Sequence, residues 1–170
     1  MSQKVAVVGA GFIGRSWAMV FAKAGHHVSL YDIDPTALSE AMNLLEINLA
    51  DLESNGLISS KDDLLGRIQP NETLEDAVDE AEWVQENALE NVQIKRELFN
   101  RMDELLPETT ILASSTSAIS CSDISNGMMG AGRMIVAHPA NPPYLLPIVE
   151  LSGAPETKDE TIFRAKELLE

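Results

Sequence analysis

Lys4-Val5-Ala6-Val7-Val8-Gly9-Ala10-Gly11-Phe12-Ile13-Gly14 reads as a strand that runs directly into a glycine loop and then a helix. Val5 to Val8 show no alternation of polar and apolar residues, the pattern of a strand covered on both faces. After the loop, Phe12, Ile13, Trp17, Val20, Phe21 and Ala24 recur at helical spacing, and Gly25 supplies the stop. His27 to Tyr31 reads as a second strand, closed by Asp32. Strand, loop, helix and strand within about 30 residues form a βαβ unit.

The loop matches G-x-G-x-x-G, and each glycine has a separate reason to be there. Gly9 makes the tight turn, Gly11 lets a pyrophosphate approach the backbone, and Gly14 allows helix and strand to pack closely. Phe12 and Ile13 open the helix, whose free N–H groups and positive dipole end face the phosphates. Asp32 lies 18 residues past Gly14, where a carboxylate accepts hydrogen bonds from the ribose 2′-OH and repels a 2′-phosphate. Ile33 and Asp34 follow, so no Lys or Arg is at hand for that phosphate, and the reading is NAD rather than NADP. Asp34 is the better candidate to cap the helix that begins at Pro35.

Outward from this unit, Leu38, Met42, Leu45, Ile47 and Leu52 mark a long helix ending near Asn55-Gly56. Leu57 to Gly66 reads as a shorter one, and the pair is expected to project from the domain. Strands are expected at Arg67–Gln69, Glu82–Glu86, Thr110–Ala113, Met134–Ala137 and Pro147–Leu151. A helix over Val92–Leu105 turns Ile94, Leu98, Phe99, Met102 and Leu105 inward. The fold class is therefore α/β: a doubly wound, mostly parallel sheet of Rossmann type with helices on both faces. Residues 1–170 form one NAD-binding domain.

Composition narrows the function. A net charge of −15 disfavours nucleic acid and anionic membrane surfaces. No segment has the roughly 18 uncharged apolar residues of a membrane span, and no signal peptide precedes the first strand. The single cysteine, Cys121, reads as packing and suits a reducing compartment, so the expected location is cytoplasmic. No metal site is expected. His26 and His27 read as surface or edge residues.

The chemistry lies further along, in Val136-Ala137-His138-Pro139-Ala140-Asn141-Pro142-Pro143-Tyr144, and in Glu150 within the run Ile148-Val149-Glu150-Leu151. Histidine exchanges protons near neutrality, and a buried carboxylate beside it would fix its tautomer and balance its charge. A carboxylate in an apolar run needs such a partner. In an open α/β sheet, ligands bind outside the carboxyl ends of the strands. Glu90 and Lys95, then Ser114 to Ser117, then His138 and Asn141 follow three successive strands there. The plainer alternatives are a structural histidine, a hydroxyl turn at Ser114 to Ser117, and a helix-start pair for Glu90 and Lys95.

These motifs give the chain a resemblance to the L-3-hydroxyacyl-CoA dehydrogenase superfamily over nearly its whole length, most of all to its lambda-crystallin or L-gulonate 3-dehydrogenase branch. It rests on Gly-Phe-Ile-Gly-Arg-Ser-Trp-Ala (11–18), Tyr-Asp-Ile (31–33), Ser-Ser-Thr-Ser (114–117), Ala-His-Pro-Ala-Asn-Pro-Pro-Tyr (137–144) and the spacing from His138 to Glu150. The resemblance implies that His138 is the general base and Glu150 orients it. It also implies that Ser117 hydrogen-bonds the reacting oxygen, that Asn141 lies at nicotinamide and substrate, and that Glu90 and Lys95 touch the cofactor.

Charge distribution bears on the substrate. No Lys or Arg occurs between Lys23 and Lys61, where six acids stand instead. The resemblance implies that members of the family using a coenzyme A thioester carry basic residues on the helices after the second strand, so a small 3-hydroxy acid, L-gulonate-like or carnitine-like, is the expected substrate. A 3-hydroxyacyl-CoA dehydrogenase and a non-catalytic, crystallin-like NAD-binding protein are the alternatives. Residues 159–170 place Ile162, Ala165, Leu168 and Leu169 on one helical face without a cap. That helix is expected to begin a linker to a second, helical domain that lies outside this chain and forms a homodimer.

Overall fold

The computed structural model describes residues 2–170. Seven strands are ordered β3-β2-β1-β4-β5-β6-β7. In chain order they are β1 (Lys4–Val8), β2 (His27–Tyr31), β3 (Ile68–Asn71), β4 (Trp83–Glu86), β5 (Ile111–Ser114), β6 (Met134–Pro139) and β7 (Val149–Gly153). All pair in parallel except β6 with β7. The order reverses between β1 and β4, which opens the crevice where the two halves diverge.

Helices cover both faces. They are α1 (Phe12–Lys23), α2 (Pro35–Ser54), α3 (Lys61–Leu65), α4 (Leu74–Val78), α5 (Val92–Leu105), α6 (Cys121–Ser125) and α7 (Asp159–Leu169). One apolar layer joins Trp17, Phe21, Leu30, Leu45 and Trp83 with α1, α2 and α7. The other joins Val8, Val84, Phe99, Met102 and Leu112 beneath α4, α5 and α6. The two layers explain why β1 reads as an unbroken apolar run from Val5 to Val8.

Asp34 caps α2 by accepting from the Thr36 N–H at 2.8 Å. Cys121 is buried against Met134. The expected helix from Leu57 contracts to Lys61–Leu65, because Ser60 caps it by accepting from the Asp63 N–H. Two short helices, α4 and α6, fall below the length at which periodicity is visible. Ile47 in α2 and Ile94 and Leu105 in α5 are exposed, whereas Leu49 takes the inward place in α2. His26 is buried rather than at the surface: it sits against Phe21, and its Nδ1 accepts from the Gln3 N–H at 3.1 Å. Burial lowers its pKa. No described helix is long and apolar enough to cross a membrane.

Candidate active site

At the glycine loop the three glycines divide the work as the motif requires. Gly9 has φ +96°, and a Cβ there would lie 2.7 Å from the Asn87 backbone. A Cβ on Gly14 would lie 1.8 Å from the Gly9 carbonyl oxygen, so nothing larger fits between α1 and the loop. A Cβ on Gly11 would meet open space. That opening faces the start of α1, where Gly11 is the N-cap and no side chain caps the helix. Backbone N–H groups and the dipole end are therefore available to an anion. The Asp32 carboxylate braces the loop from the end of β2, accepting from the Ala10 N–H at 2.7 Å and the Asp34 N–H at 3.0 Å. Phe12 and Ile33 present exposed apolar surface on either side. The residues fit a dinucleotide: an open cradle for pyrophosphate, with a carboxylate beside it for the ribose.

At the other end, β6 delivers His138 opposite Glu150 of β7 in direct cross-strand register. His138 Nδ1 lies 2.9 Å from Glu150 Oε2, and its Nε2 lies 3.0 Å from Ser117 Oγ. One imidazole thus bridges a hydroxyl and a carboxylate across three chain segments. The expected burial of Glu150 is wrong. Its side chain is 79% exposed and that of His138 32%, because β7 is the edge strand and its apolar neighbour Ile148 also faces outward. Asn141 is exposed in the loop after β6 and has no side-chain hydrogen bond among the described residues, so the structure does not join it to His138.

Lys95 is sealed beneath the crevice, whereas Glu90 is 46% exposed at its rim. Lys95, at the start of α5, is 1% exposed and reaches Glu86 Oε1 at 2.7 Å and Oε2 at 3.0 Å. Glu86 closes β4, fully buried, and also accepts from Ser114 Oγ at 2.6 Å and the Ala88 N–H at 2.6 Å. Burial pushes the Glu86 carboxyl above its ordinary value, and the three donors pull it only partly back. Glu90 accepts from Thr116 Oγ1 at 2.5 Å and from the N–H groups of Ser117 and Ala118 at 3.1 and 3.2 Å. Burial acts against its charge, but those bonds and Lys95 outweigh it and hold its carboxyl below the ordinary value. Glu90 therefore secures the backbone on which Ser117 stands.

The motifs give no role to Glu86 and offer a local hydroxyl turn for Ser115. A glutamate closing the strand Trp83–Glu86, with a lysine nine residues on, was the available signal for the first. Ser115 forms long-range side-chain bonds rather than a local turn.

The sequence matches the 3-hydroxyacyl-CoA dehydrogenase NAD-binding domain over residues 4–170. The chain belongs to that family. It is 40% identical to a lambda-crystallin homolog of Bos taurus over 97% of its own length and 52% of the relative's. An L-carnitine dehydrogenase of Streptomyces griseus is also 40% identical, over 91% of this chain and 46% of that protein. The 3-hydroxybutyryl-CoA dehydrogenase structure from Escherichia coli K12 superposes with a TM-score of 0.94 at 31% identity, covering 99% of this chain and 36% of that one. The chain spans about half the length of the curated relatives it matches. As a member of the family, it is an NAD-binding domain.

Proposed function

We propose that the domain serves the oxidation of a secondary alcohol in a small 3-hydroxy acid, with His138 as general base. The observation that carries this reading is the relay of Ser117 Oγ, His138 and Glu150 at 3.0 and 2.9 Å. Removing hydride from a carbinol carbon requires a proton to leave its oxygen. NAD, when bound, accepts the hydride. The Nδ1–H donated to Glu150 leaves Nε2 as the basic nitrogen, directed toward Ser117 and the crevice. Ser117 Oγ stands within hydrogen-bond reach of that nitrogen and positions the alcohol oxygen beside it. The imidazolium that forms is balanced by the Glu150 carboxylate. Gly11 and the start of α1 hold the pyrophosphate, and Asp32 the ribose.

The substrate is assigned by charge. α2 carries no basic residue, and α3 has only Lys61, which lies against Glu46 at 3.3 Å. A thioester bearing several phosphates would meet carboxylates there. Relatives described as an L-carnitine dehydrogenase and a lambda-crystallin homolog support a small acid, in the manner of L-gulonate or carnitine. The test is NADH formation with L-gulonate, L-carnitine and 3-hydroxybutyryl-CoA as alternative substrates. The expected result is a kcat/KM for one of the small acids above that for the thioester. A preference for the thioester would overturn the substrate assignment.

A further inference from the structure

Beneath the crevice lies a set of polar side chains that the proposed mechanism does not use. Ser115, just past β5, is its hub. Its Oγ accepts from Trp17 Nε1 at 2.9 Å and from Gln85 Nε2 at 2.7 Å, and donates to Asn87 Oδ1 at 2.7 Å. A hydroxyl has one donor and two acceptor positions, so Ser115 is saturated. Gln85, fully buried in β4, donates its second N–H to the Ala137 carbonyl at 3.3 Å and accepts from Trp83 Nε1 at 3.0 Å. Asn87 gives its amide hydrogens to the carbonyls of Gln85 at 2.9 Å and Val8 at 3.4 Å. The two indoles can only donate, so they fix which way both amides point.

Every limb ends at a segment that carries the site. Asn87 packs under the Gly9 turn, where its backbone stands 2.7 Å from the position of a Gly9 Cβ. Ser115 is two residues before Ser117, and Ala137 immediately precedes His138. Trp17 brings in α1, whose first turn faces the pyrophosphate cradle. A fully satisfied, largely buried network of this kind, with Ser115 and Asn87 half-buried, is rigid, and the loss of one member leaves several groups unpaired.

We propose that Ser115 is a positioning residue that holds the glycine loop, Ser117 and His138 at one fixed spacing, through Asn87, Trp17 and Gln85. This rests on the reading of Ser117 and His138 as the proton-transfer pair. The hub sets how far the cofactor floor stands from the relay, so both binding and relay geometry depend on it. Its function differs from that of a core-filling residue, which would affect stability alone.

The experiment uses the 170-residue chain with NAD and ¹⁵N-labelled histidine, measuring NAD affinity, thermal stability and the His138 Nε2 resonance. Ser115→Ala is expected to weaken NAD binding about tenfold, the scale of one lost buried hydrogen bond, and to move the Nε2 resonance. Ser115→Thr, which keeps the hydroxyl, is expected to restore both. Trp17→Phe with Ser115→Ala removes the stranded indole donor and is expected to recover stability without recovering either readout. Asn87→Ala removes the amide that links Ser115 to the Val8 carbonyl below the glycine loop and leaves the Gln85 limb to Ala137 in place, so NAD affinity falls while the resonance stays. A folded Ser115→Ala or double variant with native affinity and a native resonance overturns the proposal. If Ser115→Ala does not fold, native NAD affinity in Asn87→Ala overturns it. Absence of turnover with every hydroxy acid, while these two readouts respond as expected, instead counts against the proposed function alone.

Discussion

Two carboxylate pairs, Lys95 with Glu86 and His138 with Glu150, have nearly equal distances of 2.7 and 2.9 Å and opposite surroundings. The first is sealed, at 1% and 0% exposure, beneath the loop that carries Ser117. The second stands at the sheet edge, open to solvent on the carboxylate side. A sealed pair cannot change its charge cheaply, because each ion has lost its hydration and depends on the other. An open pair can take up and release a proton, since water remains to solvate either state. Separation alone would have ranked these pairs together; burial separates a sealed pair from the open one to which the proposed function gives the proton transfer.

The contrast is broken or sharpened by substitution. The largest effect is expected from His138→Gln, which should lower turnover by roughly 10²–10⁴-fold, the range for a general base. The denaturation midpoint should remain native, and an unchanged rate would remove His138 from the chemistry. Lys95→Met should have the reverse profile: a loss of about 3–5 kcal/mol in urea unfolding, because Glu86 is left charged and sealed. If Lys95 acted mainly as a cofactor contact, NAD affinity would fall and stability would hold. Glu150→Gln should cost about tenfold in rate, with little change in unfolding, since its side chain is mostly in water.

The smallest effect concerns pH. Glu90 has a folded pKa below its ordinary value, so it contributes stability at neutral pH that is lost as the pH falls through that lowered pKa. The gap in melting temperature between the native chain and Glu90→Gln should therefore close as the pH drops below about 4. Glu86 runs the other way: its raised pKa favours the folded state below the ordinary glutamate range and loses that contribution as pH rises. A gap that widened on acidification would reverse the assignment for Glu90.

Much of the fold was legible because its signals are local. The glycine loop, the cap at Asp34 and the apolar run of β1 each lie within a few residues of what they determine. The relay was legible for a similar reason: His138 and Glu150 lie 12 residues apart on adjoining strands. The burial of Glu150 was misjudged because an apolar run implies a core only where something covers it, and β7 has a neighbour on one side only. Ser115 and Trp17 meet across 98 positions, and Gln85 and Ala137 across 52. Contacts of that range depend on strand order, which no local pattern encodes.

The antiparallel register of β6 and β7 has one more consequence. The ladder places His138 across from Glu150, with Ala137 facing Leu151 and Pro139 facing Val149. Side chains on a strand alternate faces, so a slip of one residue would turn the carboxylate away and set an aliphatic group in its place. Nothing in the ladder depends on how the chain travels between Ala140 and Ile148. The stretch is still anchored, since Tyr144 packs against the core and the Ala140 N–H donates to the Ile148 carbonyl at 2.9 Å, so a change of length there is tolerated only where both anchors keep the pairing in register.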